Sequence, residues 1–107
     1  MKLAAITISY RSDVKELSRN IASYIEDVDI IVLWDNSEPP LDLSEIRSQY
    51  PQIVIHQDGI NYGLPKAYNW AIDYAEKHGC THLMTMDQDS LFPQFDKYRR
   101  WIETCNL

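Results

Sequence analysis

Four short apolar blocks, each cut off by polar residues and separated from the next by a helical or turn-rich stretch, leave this chain few folds to adopt. Leu3 to Ser9 (LAAITIS) is apolar and β-branched and gives way at once to Tyr10, Arg11 and Ser12, which reads as a buried first strand. Ile30 to Trp34 (IIVLW) is apolar on both faces, as a central parallel strand must be, and DNSEPP ends it. A third strand, Ile53 to His56, runs into DGINYG, and a fourth, His82 to Met86, runs into DQDS.

Helical patterns fill the gaps. Asp13 followed by Glu16 is a capping-box-like start, after which Val14, Leu17, Ile21, Tyr24, Ile25 and Val28 recur at the spacing of one amphipathic helix. Leu43 to Tyr50 reads as a brief helix ended by Pro51. From Leu64 to His78 the stripe Leu64, Ala67, Ala71, Tyr74 and Ala75 predicts a helix with Pro65 in its first turn and Gly79 at its C-terminal cap. Pro93 to Thr104 forms a last helix. Strands alternating with helices place the chain in the α/β class, as a parallel, doubly wound, Rossmann-like sheet of about four strands with flanking helices. With 107 residues, no internal repeat and no linker, a single domain over 1–107 is expected.

A net charge of −6 without a Lys/Arg cluster opposes a phosphate backbone, so nucleic acid is not an expected partner. The same charge repels a diphosphate unless a divalent cation or helix amides bridge the like charges. Cys80 and Cys105 lack any zinc-like spacing, and no signal peptide precedes the first apolar run. A reduced cytoplasmic protein, free or peripheral at the inner face of the membrane, is expected. The longest apolar stretch is far short of the ~20 residues of a transmembrane segment.

Open parallel sheets bind ligands at the carboxyl ends of their strands. Those ends carry Ser9 and Tyr10, then Asp35, then Asn61 and Gly63, then Asp87 and Asp89. In an extended backbone Asp87 and Asp89 leave the same side while Gln88 points away, which makes a hard-oxygen site suited to Mg²⁺ or Mn²⁺ shared with substrate phosphates. The competing reading is a solvated turn capping the last helix. Asp35 can accept the N3–H of uracil or thymine, or it can close an Asx-turn in DNSEPP. Tyr10 can stack on a base or pack at the strand end. Gly63 and the following helix start can offer backbone N–H groups to an anion, and Lys66 and Asn69 lie in the first turns of that helix. Trp34 and Trp70 read as core, and Trp101 as either core or a contact for a partner.

In order and type, these segments resemble family-2 glycosyltransferases of the GT-A fold along nearly the whole chain. ITISYRS resembles their nucleotide-contacting strand end and LWDNS their second-strand aspartate. NYGLPKAYNWAI is similar to their N-x-G-x-x-x-A-x-N helix start, and MTMDQDS resembles their metal-binding DxD, in a form similar to bacterial rhamnosyltransferases of cell-surface polysaccharide synthesis. The resemblance implies a nucleoside-diphospho-sugar donor, with a dTDP- or UDP-linked sugar such as dTDP-rhamnose, and a saccharide or lipid-linked acceptor. It implies Ser9, Tyr10 and Asp35 on the nucleoside, Asp87 near ribose and sugar, Asp89 on a Mn²⁺ or Mg²⁺ ion, and Asn61, Gly63 and Asn69 shaping the pocket. Tyr68 stands where many relatives have an arginine, and no residue matches the family's catalytic base, which is expected in a C-terminal half beyond this sequence. Self-association through surface that such a half would cover is a further expectation.

Two other readings compete. An apolar strand entering D-x-D-S resembles the first motif of haloacid-dehalogenase-like phosphatases, whose first aspartate is a nucleophile, although there the motif stands near the start of the chain. A non-catalytic nucleotide-binding or interaction module is the third.

Overall fold

The computed structural model of the chain describes residues 1–88 and 95–104. Strands β1 (Leu3–Ser9), β2 (Ile30–Asp35), β3 (Val54–Gln57) and β4 (His82–Met86) form one sheet in the order β3-β2-β1-β4. Every pairing is parallel, with Ser9 level with Asp35, Asp35 with Gln57, and Thr7 with Met86. The helices are α1 (Val14–Ala22), α2 (Ser44–Gln49), α3 (Leu64–Lys77) and α4 (Phe95–Thr104). The architecture is α/β and Rossmann-like. β1 and β4 keep the limits expected from sequence, whereas β2 runs one residue further, to Asp35, and β3 is shifted by one, beginning at Val54 and ending at Gln57, which pairs with Asp35 in the ladder.

Side chains alternate across the sheet, and its two faces are covered unequally. On one face Leu3 and Ala5 of β1, Ile31 and Leu33 of β2 and Met86 of β4 form one cluster with Leu17, Ile21, Tyr24, Ile46 and Phe95. On the other, Ile6 and Val32 meet Ala71 of α3, with Tyr68, Trp70 and Tyr74 packed around them. The buried side chains of α3 are Ala67, Ala71 and Ala75, so the helix lies on β1 and β2 through methyl groups and can approach closely. Leu64, expected in that buried stripe, is 54% exposed, and so is half of Ile72. Both sit on the flank of α3 that borders the cavities along β4.

Local chemistry sets the helix limits. The Asp13 carboxylate caps α1 by accepting the N–H groups of Lys15 at 2.8 Å and Glu16 at 3.3 Å. The stripe expected to run as one helix to Val28 is interrupted after Ala22, where the Ser23 hydroxyl donates to the Asn20 carbonyl at 2.6 Å. A hydroxyl competing for a helix carbonyl favours termination, and the chain continues as a 3-10 turn over Ile25–Asp27. Tyr24 still reaches the core, where its hydroxyl pairs with that of Thr7 at 2.7 Å and burial pushes the phenol up to about 12. At the end of α3, Cys80 N–H bonds to Ala75 O and Gly79 N–H to Glu76 O, with Gly79 at φ +77°, the paired bonds of a Schellman cap. Arg99 of α4 ties the amino rim together by donating to Met1 O at 2.9 Å, Asp27 O at 2.6 Å and the Asp29 carboxylate at 3.1 Å.

The unequal burial gives a direct stability contrast. Ile21→Ala, at a fully buried position, is expected to lower the unfolding free energy by about 2–5 kcal/mol in urea titration. Ile72→Ala, half exposed, is expected to change it by no more than about 0.5 kcal/mol.

Candidate functional site

Sequence order runs outward from β1 to β2 to β3 and then returns to the far side of β1 for β4. The switch point, where a doubly wound sheet opens its ligand crevice, therefore lies between β1 and β4 at their carboxyl ends. Two adjoining cavities are found there. The first, about 310 Å³, is lined by Ile8, Tyr10, Asn36, Asn61, Gly63, Leu64 and Gln88. The second, about 230 Å³, shares Ile8, Leu64 and Gln88 with it and adds Tyr68, Met86 and Asp87.

Behind this crevice a polar row crosses three strands. Ser9, Asp35 and Gln57 are level in the ladder and touch side chain to side chain. Asp35 is 1% exposed. Its Oδ1 accepts from Ser9 Oγ and Ser37 N–H, each at 3.0 Å, and its Oδ2 from Leu41 N–H at 3.0 Å and Gln57 Nε2 at 2.8 Å. Four donors fill the acceptor sites of an ionised carboxylate. Burial pushes the Asp35 carboxyl up, but the hydrogen bonds from Ser37, Gln57 and Leu41 outweigh it and hold the group below the ordinary carboxylate value. The Ser37 bond closes the Asx-turn that the sequence offered as an alternative for this residue.

Asn36, the next residue, faces the crevice and zips two loops together. Its Oδ1 accepts from Trp34 Nε1 at 2.8 Å and Tyr62 N–H at 3.2 Å, and its Nδ2 donates to Gly63 O at 3.3 Å. Glu38 extends the zip by accepting Asn61 N–H at 2.7 Å, and Asn61 Oδ1 takes Gly63 N–H at 2.9 Å. Gly63 itself has φ +79° and ψ 175°, a backbone region essentially restricted to glycine. Two cations flank the rim, Arg11 with its guanidinium 5.1 Å from the Tyr10 ring centre and Lys66 with its ammonium 4.2 Å from that of Tyr62.

The structure thus sorts the residues singled out from sequence. Tyr10, Asn61, Gly63 and Asp87 line the crevice. Ser9 and Asp35 lie together at the same rim, but buried behind it. Asn69 is exposed on α3 and lines neither cavity, since five residues of helix turn it about 140° away from Leu64. Asp89 and Cys105 lie outside the described residues, as does the Trp101 side chain. Gln88 differs from expectation. It does not point away; it accepts Tyr10 N–H at 2.8 Å and the Ser12 hydroxyl, bridging β4 to the end of β1. The strand ends at Met86, so the two-residue alternation assumed for DQD does not continue through Gln88.

Sequence reasoning missed Asn36, Gln57 and Gln88. Gln57 was detectable, since Ile53, Ile55 and Gln57 alternate onto one face and the last falls level with Asp35.

Asp87 is exposed and is the carboxylate that lines the crevice among the described residues. One hard-oxygen side chain beside an open cavity suits an ion shared with a ligand's phosphates, and does not suit an ion caged by protein alone. Among the described residues no group of three or more His, Cys, Asp or Glu is placed to hold a metal. No helix among them is long and apolar enough to cross a membrane.

No family model and no curated protein matches the chain. Its fold is similar to that of S. aureus TarS, with a TM-score of 0.70 and 22% sequence identity over 96% of this chain. The match spans 20% of the TarS chain, so this domain corresponds to about one fifth of that protein's length. TarS is a glycosyltransferase.

Two outcomes follow from the geometry. Asp35→Asn turns an amide donor toward two existing donors and is expected to destabilise the fold by about 2–4 kcal/mol in urea titration. The folded pKa of Asp35 lies below its unfolded value, so its contribution is complete above about pH 4 and is lost as pH falls through the folded value. The acid limb of a stability–pH profile is therefore expected to be shallower in Asp35→Asn. Gly63→Ala is expected to cost about 1–3 kcal/mol from backbone strain, because an added Cβ meets nothing closer than Pro65 Cδ at 3.8 Å.

Proposed function

We propose that the β1/β4 crevice binds a nucleoside-diphospho-sugar and that the domain is the donor-binding part of a glycosyltransferase. The observation that carries this reading is the convergence of Tyr10, Asn61, Gly63 and Asp87 on adjoining cavities at the topological switch point of a fold similar to that of a glycosyltransferase. A ring stacked on Tyr10 and a diphosphate running toward Asp87 would use the cavities in sequence. Asp87, with Asp89 following it in the chain, would hold Mn²⁺ or Mg²⁺. When bound, such an ion neutralises charge developing on a leaving diphosphate.

The resemblance of the motifs to family-2 enzymes, and of DQDS to rhamnosyltransferases, extends the proposal to a dTDP- or UDP-sugar, with dTDP-rhamnose as the favoured donor. The acceptor would then be a saccharide or lipid-linked saccharide of a cell surface. Inverting transfer requires a base to deprotonate the acceptor hydroxyl, and that role is assigned to no residue of this chain. Asp35 enters the reading with a condition. To accept a pyrimidine N3–H it must release one of its four donors, and Gln57 is the one with a second acceptor in place, Leu41 O at 2.7 Å.

A thermal-shift titration with dTDP, UDP and GDP, each with and without Mn²⁺, tests the proposal. A ligand at a hundred times its Kd stabilises by about 2.7 kcal/mol, which for a domain of this size raises Tm by roughly 10–20 °C. The expected result is such a rise with dTDP or UDP and Mn²⁺, a smaller one with GDP, and loss of the metal-dependent part in Asp87→Ala and Asp89→Ala. No rise with any nucleotide would overturn it.

A further inference from the structure

Asn20 is out of place by the rules that shape the rest of α1. It is 1% exposed, on the buried side of the helix with Leu17 and Ile21, where an aliphatic side chain would both favour the helix and fill the core. Among the described residues its amide is only half satisfied. Nδ2 donates to the backbone carbonyl of Asp87 at 3.0 Å, while Oδ1 is buried without a partner among the described residues. Burying an unpaired amide oxygen is unfavourable, so core packing does not account for an asparagine here.

The bond it does make is placed where the crevice needs it. Asp87 follows the last residue of β4, beyond the sheet ladder, so its backbone is not fixed by strand pairing. Asn20 reaches it from beneath, across the sheet from α3. Gln88, the next residue, is held from the other side by Tyr10 N–H. The segment that carries Asp87 along its cavity is therefore held twice, at the Asp87 carbonyl from α1 and through the Gln88 side chain by the Tyr10 N–H just past the end of β1.

We propose that Asn20 is a positioning residue for the metal–diphosphate end of the crevice, fixing the Asp87 carbonyl so that the Asp87 carboxylate stands where a cation shared with the ligand would sit. The role rests on the nucleoside-diphosphate reading given above. It acts through Asp87 and requires no contact between Asn20 and the ligand.

The role separates from simple structural support by what it changes. Asn20→Leu removes the clamp and the unpaired oxygen together, so the variant is expected to be as stable as the natural chain or more so. Its affinity for dTDP without metal is expected to stay within about twofold, while the strengthening of dTDP binding by Mn²⁺ falls by about tenfold or more. Asn20→Ala, which removes the donor without burying a charge and favours the helix, is expected to lose the same metal effect. It provides the measurement if the leucine variant fails to fold. Equal Mn²⁺ strengthening in the natural chain and in a folded Asn20 variant would overturn the positioning role while leaving the nucleotide reading intact. Failure of the natural chain itself to bind dTDP with Mn²⁺ would overturn both.

Discussion

A buried carboxylate on which four donors converge, that of Asp35, decides where three strand ends and the loop after β2 can lie. Its partners come from β1 (Ser9), from β3 (Gln57) and from the DNSEPP loop (Ser37 and Leu41). An ionised group at 1% exposure is tolerated only because those bonds replace its hydration, and the same bonds outweigh burial in setting its protonation. With Asp35 anchored, Asn36 is delivered to the opposite face, where it binds Trp34, Tyr62 and Gly63. One wall of the crevice is thus a consequence of a bond network on the far side of the sheet.

The other wall depends on unequal coverage. Three helices and the 3-10 turn pack the face that carries Leu3, Ile31 and Leu33, whereas the opposite face is served by α3 alone among the described residues. α3 contacts the sheet through alanines and settles over β1 and β2. A larger stripe would have lifted it away, and a seat displaced towards the β4 edge would have closed the gap over that strand. The flank bearing Leu64, Tyr68 and Ile72 instead borders open cavities, and this explains how an apolar flank can be half exposed on a helix whose other side is fully buried.

Strand positions were legible in the sequence because each strand is bounded by a sharp change of polarity, and the α3 caps because Gly79 and Pro65 admit few backbone choices. What failed did so for local reasons. The stripe from Val14 to Val28 has helical period throughout, yet the Ser23 hydroxyl takes the Asn20 carbonyl and ends α1 early. Period alone cannot register that competition. Leu64 fits the apolar stripe of α3 but lies in its first turn, at the carboxyl rim, where it lines both crevice cavities. Gln88 was read as if β4 continued, and a strand end has no marker in residue type when polar residues follow in any case. The described parts of the strand-end segments lie at one rim, but sequence could not divide that rim into a surface that lines space and a layer behind it.

That division gives two aspartates of the same rim opposite characters. Asp35 has no unfilled acceptor site and is buried, so its charge is neutralised by fixed dipoles and serves the fold. Asp87 is exposed, contributes its carbonyl to Asn20 and leaves its carboxylate facing the cavity. In a chain of net charge −6 an anionic ligand meets repulsion on approach, and the cations beside the crevice, Arg11 and Lys66, lean on tyrosine rings at its margins. An exposed carboxylate lining that crevice is unfavourable for binding a diphosphate directly and favourable for binding one through a divalent ion. The sign of the charge at Asp87 therefore makes metal dependence the feature by which the nucleotide-sugar proposal stands apart from binding of a neutral ligand in the same space.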